Sequence, residues 1–171
     1  MESGSTPVRW HALYTKPRHE KQVDRLLCEK HIETYLPLRR VLHRWSDRKK
    51  WVEEPLFRSY LFIHADPRDR QRALFTPGAL RFVAFGDGPA VVRDEEIETV
   101  RRILAERTDV ESCPPVTVGD IVEIARGPLM GIRGRLDEIR HGNRLVITVD
   151  SIRQALRFTV DLADVRVVHE P

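Results

Sequence analysis

The sequence predicts an α+β module followed by a small all-β module, and three observations carry that prediction. Two amphipathic helical stretches alternate with strand-like stretches up to about residue 107. A polar break with two prolines, "TDVESCPP", follows at 108–115. Beyond it come short alternating apolar stretches separated by glycines, without a helical period, which is the pattern of a small β-barrel. The expected organisation is a first module at 8–107, a linker at 108–115 and a barrel at 116–169.

The elements follow in order. "VRWHALYT" puts Trp10, Ala12 and Tyr14 on one face and His11, Leu13 and Thr15 on the other, as a half-buried strand requires. A helix is expected next, with Pro17 in its first turn and Val23, Leu26 and Leu27 at helical spacing up to about Lys30. "ETYLPLRRVLHRW" and "WVEEPLFRSYLFIHA" read as two strands joined by the polar turn "SDRKK", together one long basic hairpin. Pro37 and Pro55 belong at edges or bulges, because proline donates nothing to a ladder. "ADPRDRQRALF" predicts a short helix and "ALRFVAFG" a strand ending in the turn chemistry of "GDGPA". "RDEEIETVRRILAER" is the second clear helix, opened by Arg93 or Asp94, with acids in its first turn and Ile97, Val100, Ile103 and Leu104 along one face. These elements assemble as an antiparallel sheet with flanking helices. The second module contributes five strands, within "VGDIVEIARG", "GIRGRLDEIRHG", "NRLVITVD", "ALRFTVDL" and "DVRVV".

Composition narrows the functional classes. With 171 residues, 41% hydrophobic and 32% charged, the chain has the profile of one or two soluble domains. No window approaches the roughly 18 apolar residues of a membrane helix, and the N-terminus has no apolar signal core, so a cytoplasmic protein without membrane contact is expected. Cys28 and Cys113 lie far apart without ligand spacing, which predicts two packed thiols and neither a metal site nor a disulfide. Seven histidines are scattered with no HExxH, GxSxG or Walker glycine loop around them. No catalytic residue and no cofactor is therefore expected, and His64 reads as a strand-end residue. Charge is unevenly placed: residues 1–60 hold 13 Lys/Arg against 8 Asp/Glu, and residues 61–171 hold 16 against 18. The densest run, "RRVLHRWSDRKK", is either a solvated hairpin or a surface for nucleic acid phosphates.

The most informative stretch of the second module is "ARGPLMGIRGRLDEI", where Gly127, Pro128, Gly131 and Gly134 let the backbone bend sharply at a tight barrel corner. It resembles the KOW motif of SH3-like barrels. "WHALYTKPRHEKQV", "EPLFRSYLFI" and "FVAFGDGPAVVRDEEI" are similar to the N-terminal (NGN) domain of the NusG family of transcription elongation factors. The resemblance runs from about Trp10 to Val168, and its middle block is closest to the specialised RfaH/UpxY-like antiterminators. One departure stands out: Arg58-Ser59 occupies the place where the family usually has Pro-Gly or Pro-Asn.

The resemblance implies a monomeric elongation and antitermination factor that performs no chemistry. In it, Leu56, Phe57 and Tyr60 match positions that grip the clamp helices of the largest RNA polymerase subunit, a helix-in-groove contact. Phe57, an aromatic flanked by polar residues, is expected at the surface as an interface anchor, whereas Tyr60 fits core and surface equally. Arg70, Gln71 and Arg72 fall at the gate-loop contact. Lys16, Arg18 and His19, at the expected start of the first helix, fall where the family faces non-template DNA. Leu129, Ile132 and Ile152 match positions that meet ribosomal protein NusE or Rho, and they suit rim packing equally. The alternative is a KOW-containing RNA-binding or ribosome-associated protein. Against it, the barrel's basic residues are offset by acids and its only aromatic, Phe158, suits a core. The barrel is expected as strands and not in the helical form known for RfaH, since Gly142 interrupts a helix there and Val146-Ile147-Thr148-Val149 prefers strands.

Overall fold

The alternating pattern around Leu13 becomes the central strand of the first sheet. In a computed structural model, which describes residues 7–115, 119–139 and 142–168, the chain runs β1 (Arg9–Thr15), α1 (Glu20–Glu29), β2 (Glu33–Tyr35), β3 (Leu38–Arg44), β4 (Lys49–Pro55), β5 (Tyr60–Ala65), α2 (Pro67–Leu74), β6 (Ala79–Phe82), β7 (Val91–Val92) and α3 (Asp94–Glu106). It continues through β8 (Glu111–Cys113), β9 (Ile121–Ile124), β10 (Arg133–Ile139), β11 (Gly142–Val149), β12 (Gln154–Thr159) and β13 (Val165–Val167). The ends of the expected barrel, 116–118 and 169, lie outside the described residues. Contacts divide the chain into two units: residues up to Pro37 with Phe57–Ile97, and Leu38–Leu56 with the residues from Glu98 on.

In the first unit an antiparallel sheet has the order β2-β5-β1-β6, with β7 also on β1. Leu13 faces Leu61 and Phe82 across its neighbours, and these residues cluster with Ile63, Val23 and Leu27 as the core. One face of β1 therefore meets α1, and Trp10 and Ala12 on the other face are buried as well, so the strand is covered on both sides and not half-buried as expected. α2 starts on Pro67, with the Asp66 carboxylate accepting from the Asp69 amide at 2.7 Å, a cap that satisfies one of the free donors of a first turn. At the start of α3 the Glu96 carboxylate reaches back to the Arg93 amide at 3.0 Å.

Two further expectations are corrected. Helix α1 begins at Glu20, not at Pro17. Lys16 to His19 is instead a turn closed by the His19 amide on the Lys16 carbonyl at 3.1 Å, with Arg18 at φ 65° behind Pro17, the proline-then-positive-φ pattern of a type II turn. The long hairpin is also broken. Pro37 separates β2 from β3, and Pro55 ends β4 opposite Leu38, so β3 and β4 form a two-stranded sheet of their own while β2 and β5 join the main sheet.

The second unit holds a six-stranded antiparallel sheet in the order β13-β9-β10-β11-β12-β8. The C-terminal module is thus built of strands, as the β-branched run predicts. The stretch expected as a linker contains β8, whose Cys113 pairs with Ala155 and is buried with it and Val146. Burial also raises the Cys113 thiol pKa. On β9 the Glu123 carboxylate takes hydrogen bonds from Arg133 and then Arg166, which hold it below the ordinary glutamate range. At Gly134 the β10 backbone runs so close to β11 that an added Cβ would overlap the Val146 carbonyl and meet Ile147 Cδ1 at 2.5 Å. Gly134→Ala should therefore cost about 1–3 kcal/mol, the usual penalty of overpacking, seen as a lower urea midpoint for loss of the barrel's backbone amide signals.

Candidate functional site

The face of the first sheet opposite the Leu13 core is aromatic. Alternation along β1 puts Trp10 and Tyr14 there, β5 adds Tyr60, Phe62 and His64 beside them, and β2 adds Tyr35. The rings touch in pairs: Trp10 stacks on His64 at 4.9 Å, Tyr14 meets Tyr60 edge-on at 5.3 Å, and Tyr35 stacks on Phe62 at 6.2 Å. Arg81 of β6, opposite Tyr14, lays its guanidinium over that ring at 5.2 Å. Tyr14, Tyr35 and Tyr60 are half-buried and Arg81 is exposed. The arrangement offers hydroxyls and ring edges beside a cation, a surface suited to gripping another protein.

Phe57 belongs to this face but not to its surface, which overturns the expectation of an exposed anchor. It is 1% exposed, with its ring edge-on to Phe62 at 6.3 Å, and Leu56 is buried as well. The cause is a reversal at Ser59. Its backbone is left-handed at φ 64°, and the Tyr60 amide closes on the Phe57 carbonyl at 3.2 Å. The Ser59 carbonyl accepts from the Thr15 amide at 2.8 Å, and its amide donates to the buried Glu20 carboxylate at 2.7 Å. The chain doubles back, and Phe57 folds in over Phe62. Glycine and asparagine adopt such a backbone most readily; here serine holds it with Glu20 as its partner. The polar pair does not mark a surface for Phe57, because only Arg58 of it points to solvent while Ser59 is buried.

The other expected positions are dispersed. Lys16 and Arg18 are exposed on the turn before α1, and half-buried His19 directs Nδ1 to the Pro17 carbonyl at 3.1 Å. That turn abuts Gly78, whose carbonyl accepts from the Lys16 amide at 2.9 Å and where a Cβ would meet Val23. On α2, Arg70 donates to Nε2 of buried His11 at 2.9 Å. Arg72 is tied to Asp69 at 2.7 Å and to the Lys30 carbonyl at 2.9 Å. Gln71 is exposed, and so, at 78%, is Phe75 at the helix end, which the helical reading of "RALF" did not single out.

In the second unit, Gly127 and Gly131 take positive φ, and the Met130 and Ile132 amides donate to the Gly127 and Leu129 carbonyls at 3.1 and 3.2 Å. This tight turn folds Leu129 and Ile132 inward. Both are buried, as is Ile152, so none of the three stands on the surface as partner contacts require. Leu129 instead lines a cleft of about 220 Å³ with Ile124, Phe158, Val165 and Arg107. Met130, 61% exposed, is the outward member of the turn, and Arg102 of α3 donates to the Pro128 and Met130 carbonyls at 2.9 and 3.2 Å. Among the described residues no group of three or more His, Cys, Asp or Glu is arranged to hold a metal, and no helix is long and apolar enough to cross a membrane.

Comparison with known proteins shows what the chain as a whole is similar to. Residues 8–101 match the family model of the transcription termination factor NusG. The transcription termination/antitermination protein NusG of Thermus thermophilus is 25% identical over 152 residues, 77% of this chain and 83% of that protein. A structure of Thermotoga maritima NusG, solved in a study of its domain interaction, superposes with a TM-score of 0.60 at 22% identity, covering 94% of this chain and 97% of that one.

Two outcomes follow from the site's geometry. Phe57→Ala should cost about 3–5 kcal/mol, as for a buried ring, measured by thermal or urea unfolding. His11, with Nδ1 donating to the Ala90 carbonyl at 2.9 Å and Nε2 accepting from Arg70, is held neutral, its pKa lowered by burial. The unfolded state then binds the extra proton first. The stability His11 contributes is complete above its unfolded pKa near 6.5 and is lost as pH falls from there toward the folded value, by at most about 1.4 kcal/mol per pH unit. Unfolding at pH 7 and pH 5.5 should show this loss, and His11→Gln should flatten it.

Proposed function

The chain belongs to the NusG family of transcription termination and antitermination factors, and from that premise we propose that it binds RNA polymerase through the aromatic face of its first unit and shortens transcriptional pauses. The observation that carries the reading is the Tyr14–Tyr60 pair with Arg81 over it: half-buried rings beside a cation are what a protein hot spot uses. The occupant is the pair of clamp helices of the largest subunit, an amphipathic helical surface laid on aromatic side chains. Tyr60 makes the contact. Phe57 supports it from within by propping Phe62.

Further contacts follow from which side chains are exposed. Arg70 and Arg72 serve His11, Asp69 and Lys30, so a gate-loop contact runs through Gln71 and Phe75 of the same helix. Lys16 and Arg18, exposed on their turn, face the phosphates of non-template DNA, with His19 behind them. In the barrel the Gly127–Gly134 turn presents Met130 to a recruited protein, NusE or Rho. The likeness of "EPLFRSYLFI" to the RfaH/UpxY-like antiterminators supports an operon-restricted role in the cytoplasm. No step requires a catalytic group, because closing the polymerase clamp on DNA is a binding effect.

Single-round transcription across a pause site tests this. Adding the protein should shorten pause lifetimes, and unchanged pausing and termination on every template would overturn the reading. Tyr60→Ala should weaken binding to core polymerase by at least about 2 kcal/mol, roughly thirtyfold, and remove the anti-pausing effect with it.

A further inference from the structure

One end of the first sheet carries exposed positive charge that its own carboxylates do not answer. Strands β5, β1 and β6 run antiparallel in that order, so the start of β5, the end of β1 and the start of β6 lie together. Register sets Tyr60, Tyr14 and Arg81 in one row across the three strands. Arg58 points to solvent from the turn that closes on Tyr60. Glu20, the acid beneath that turn, is buried and committed to the Ser59 amide. Among the described residues no carboxylate forms an ion pair with Arg58 or Arg81. How Arg81 is held matters as much as its charge. Its guanidinium lies over the Tyr14 ring at 5.2 Å while the residue stays exposed. The ring takes the flat face of the guanidinium and leaves the N–H groups of its fork free at the edge. A fork whose orientation is already set binds a carboxylate through two parallel hydrogen bonds at little further loss of side-chain freedom.

We propose that Arg81 selects the helical partner of the aromatic face by pairing with a carboxylate on it, set one helical turn from the apolar side chain that covers Tyr14 and Tyr60. The inference rests on the polymerase reading and adds to it the chemistry that the clamp helices must present. Neighbouring strands lie about 4.8 Å apart, and side chains three or four positions apart on a helix are separated by about 5–6 Å. A helix lying across the strands therefore meets the tyrosines with an apolar residue and Arg81 with an acid three or four positions on. A phosphate matches the charge equally, but it brings no apolar group to cover the adjoining rings. That difference favours an acidic amphipathic helix over a nucleic acid backbone. Arg58, on the turn and outside the row, adds attraction at a distance without a fixed contact.

Association and dissociation rates of the full chain on immobilised core RNA polymerase test this. Arg81→Gln should dissociate about tenfold faster with little change in association. Arg81→Lys should recover part of that loss, because the charge returns without the planar fork. Arg81→Glu should bind at least about tenfold more weakly than Arg81→Gln, since like charges then oppose. Arg58→Gln should instead slow association at low salt and leave dissociation unchanged. All four variants should melt as the parent does, because both positions are exposed. Tyr60→Ala separates this inference from the reading beneath it. If Tyr60→Ala loses polymerase while Arg81→Gln dissociates like the parent, the carboxylate pairing is overturned and the polymerase reading stands. If the parent does not bind polymerase, or Tyr60→Ala binds as the parent does, that reading falls and this inference with it. Arg81→Glu binding as well as Arg81→Gln would also overturn the pairing. So would loss of binding to free DNA on Arg81→Gln with polymerase binding intact, which would make a phosphate the partner of Arg81.

Discussion

The first unit depends on a backbone reversal at Ser59 held by a buried carboxylate. A left-handed serine stores about 1–2 kcal/mol of steric cost, and the surrounding bonds offset it. The Ser59 amide lies on Glu20 and its carbonyl on the Thr15 amide, so a single residue ties the end of β1, the first turn of α1 and the start of β5. Glu20 does two things at once. As the first residue of α1 it places negative charge where the helix dipole favours it, and it supplies the acceptor without which the Ser59 amide would be an orphan in the interior. Helix start and strand reversal are set by the same group.

That reversal decides what the aromatic face can offer. With Phe57 turned in over Phe62, Tyr60 is left at the edge of the cluster beside Tyr14. The buried phenylalanines give the half-buried tyrosines fixed positions, which lowers the entropy lost when a partner covers them. The accessible part of this face is a thin layer on a packed ring cluster. His11 on the opposite face follows the same logic with polar groups: Ala90 and Arg70 occupy its two nitrogens, so it serves as a neutral bridge between β1 and α2.

The barrel strands and the β3–β4 ribbon distribute charge differently. Around Glu123 the arginines 133 and 166 are consumed by their own carboxylate, and Arg144 and Arg157 are likewise drawn to Glu111. Basic residues of the barrel are therefore largely spent within the fold. The ribbon spends Arg39 and His43 on Glu54 and leaves its opposite face cationic and aromatic. Alternation of a two-stranded sheet makes that separation possible, because successive side chains point to opposite sides.

The sequence by itself determined the α+β module and the strand-built second module, because alternation and helical spacing are local properties that burial enforces. It also contained the resemblance that carried the family. It did not determine where the long hairpin would break, since Pro37 and Pro55 mark limits for pairing without saying which partner each half takes. Nor did it give the start of α1, which waits on Gly78 and Ser59 to hold Lys16 and Thr15 in place. The exposure of Phe57, Leu129, Ile132 and Ile152 was settled by tertiary structure alone. Flanking polar residues report the direction of their own side chains, whereas a left-handed serine or a glycine turn re-aims the neighbouring apolar ones through contacts made far along the chain. Arg70 shows the same limit from the polar side: a basic residue on an exposed helix looks available in sequence until a histidine 59 positions away claims it.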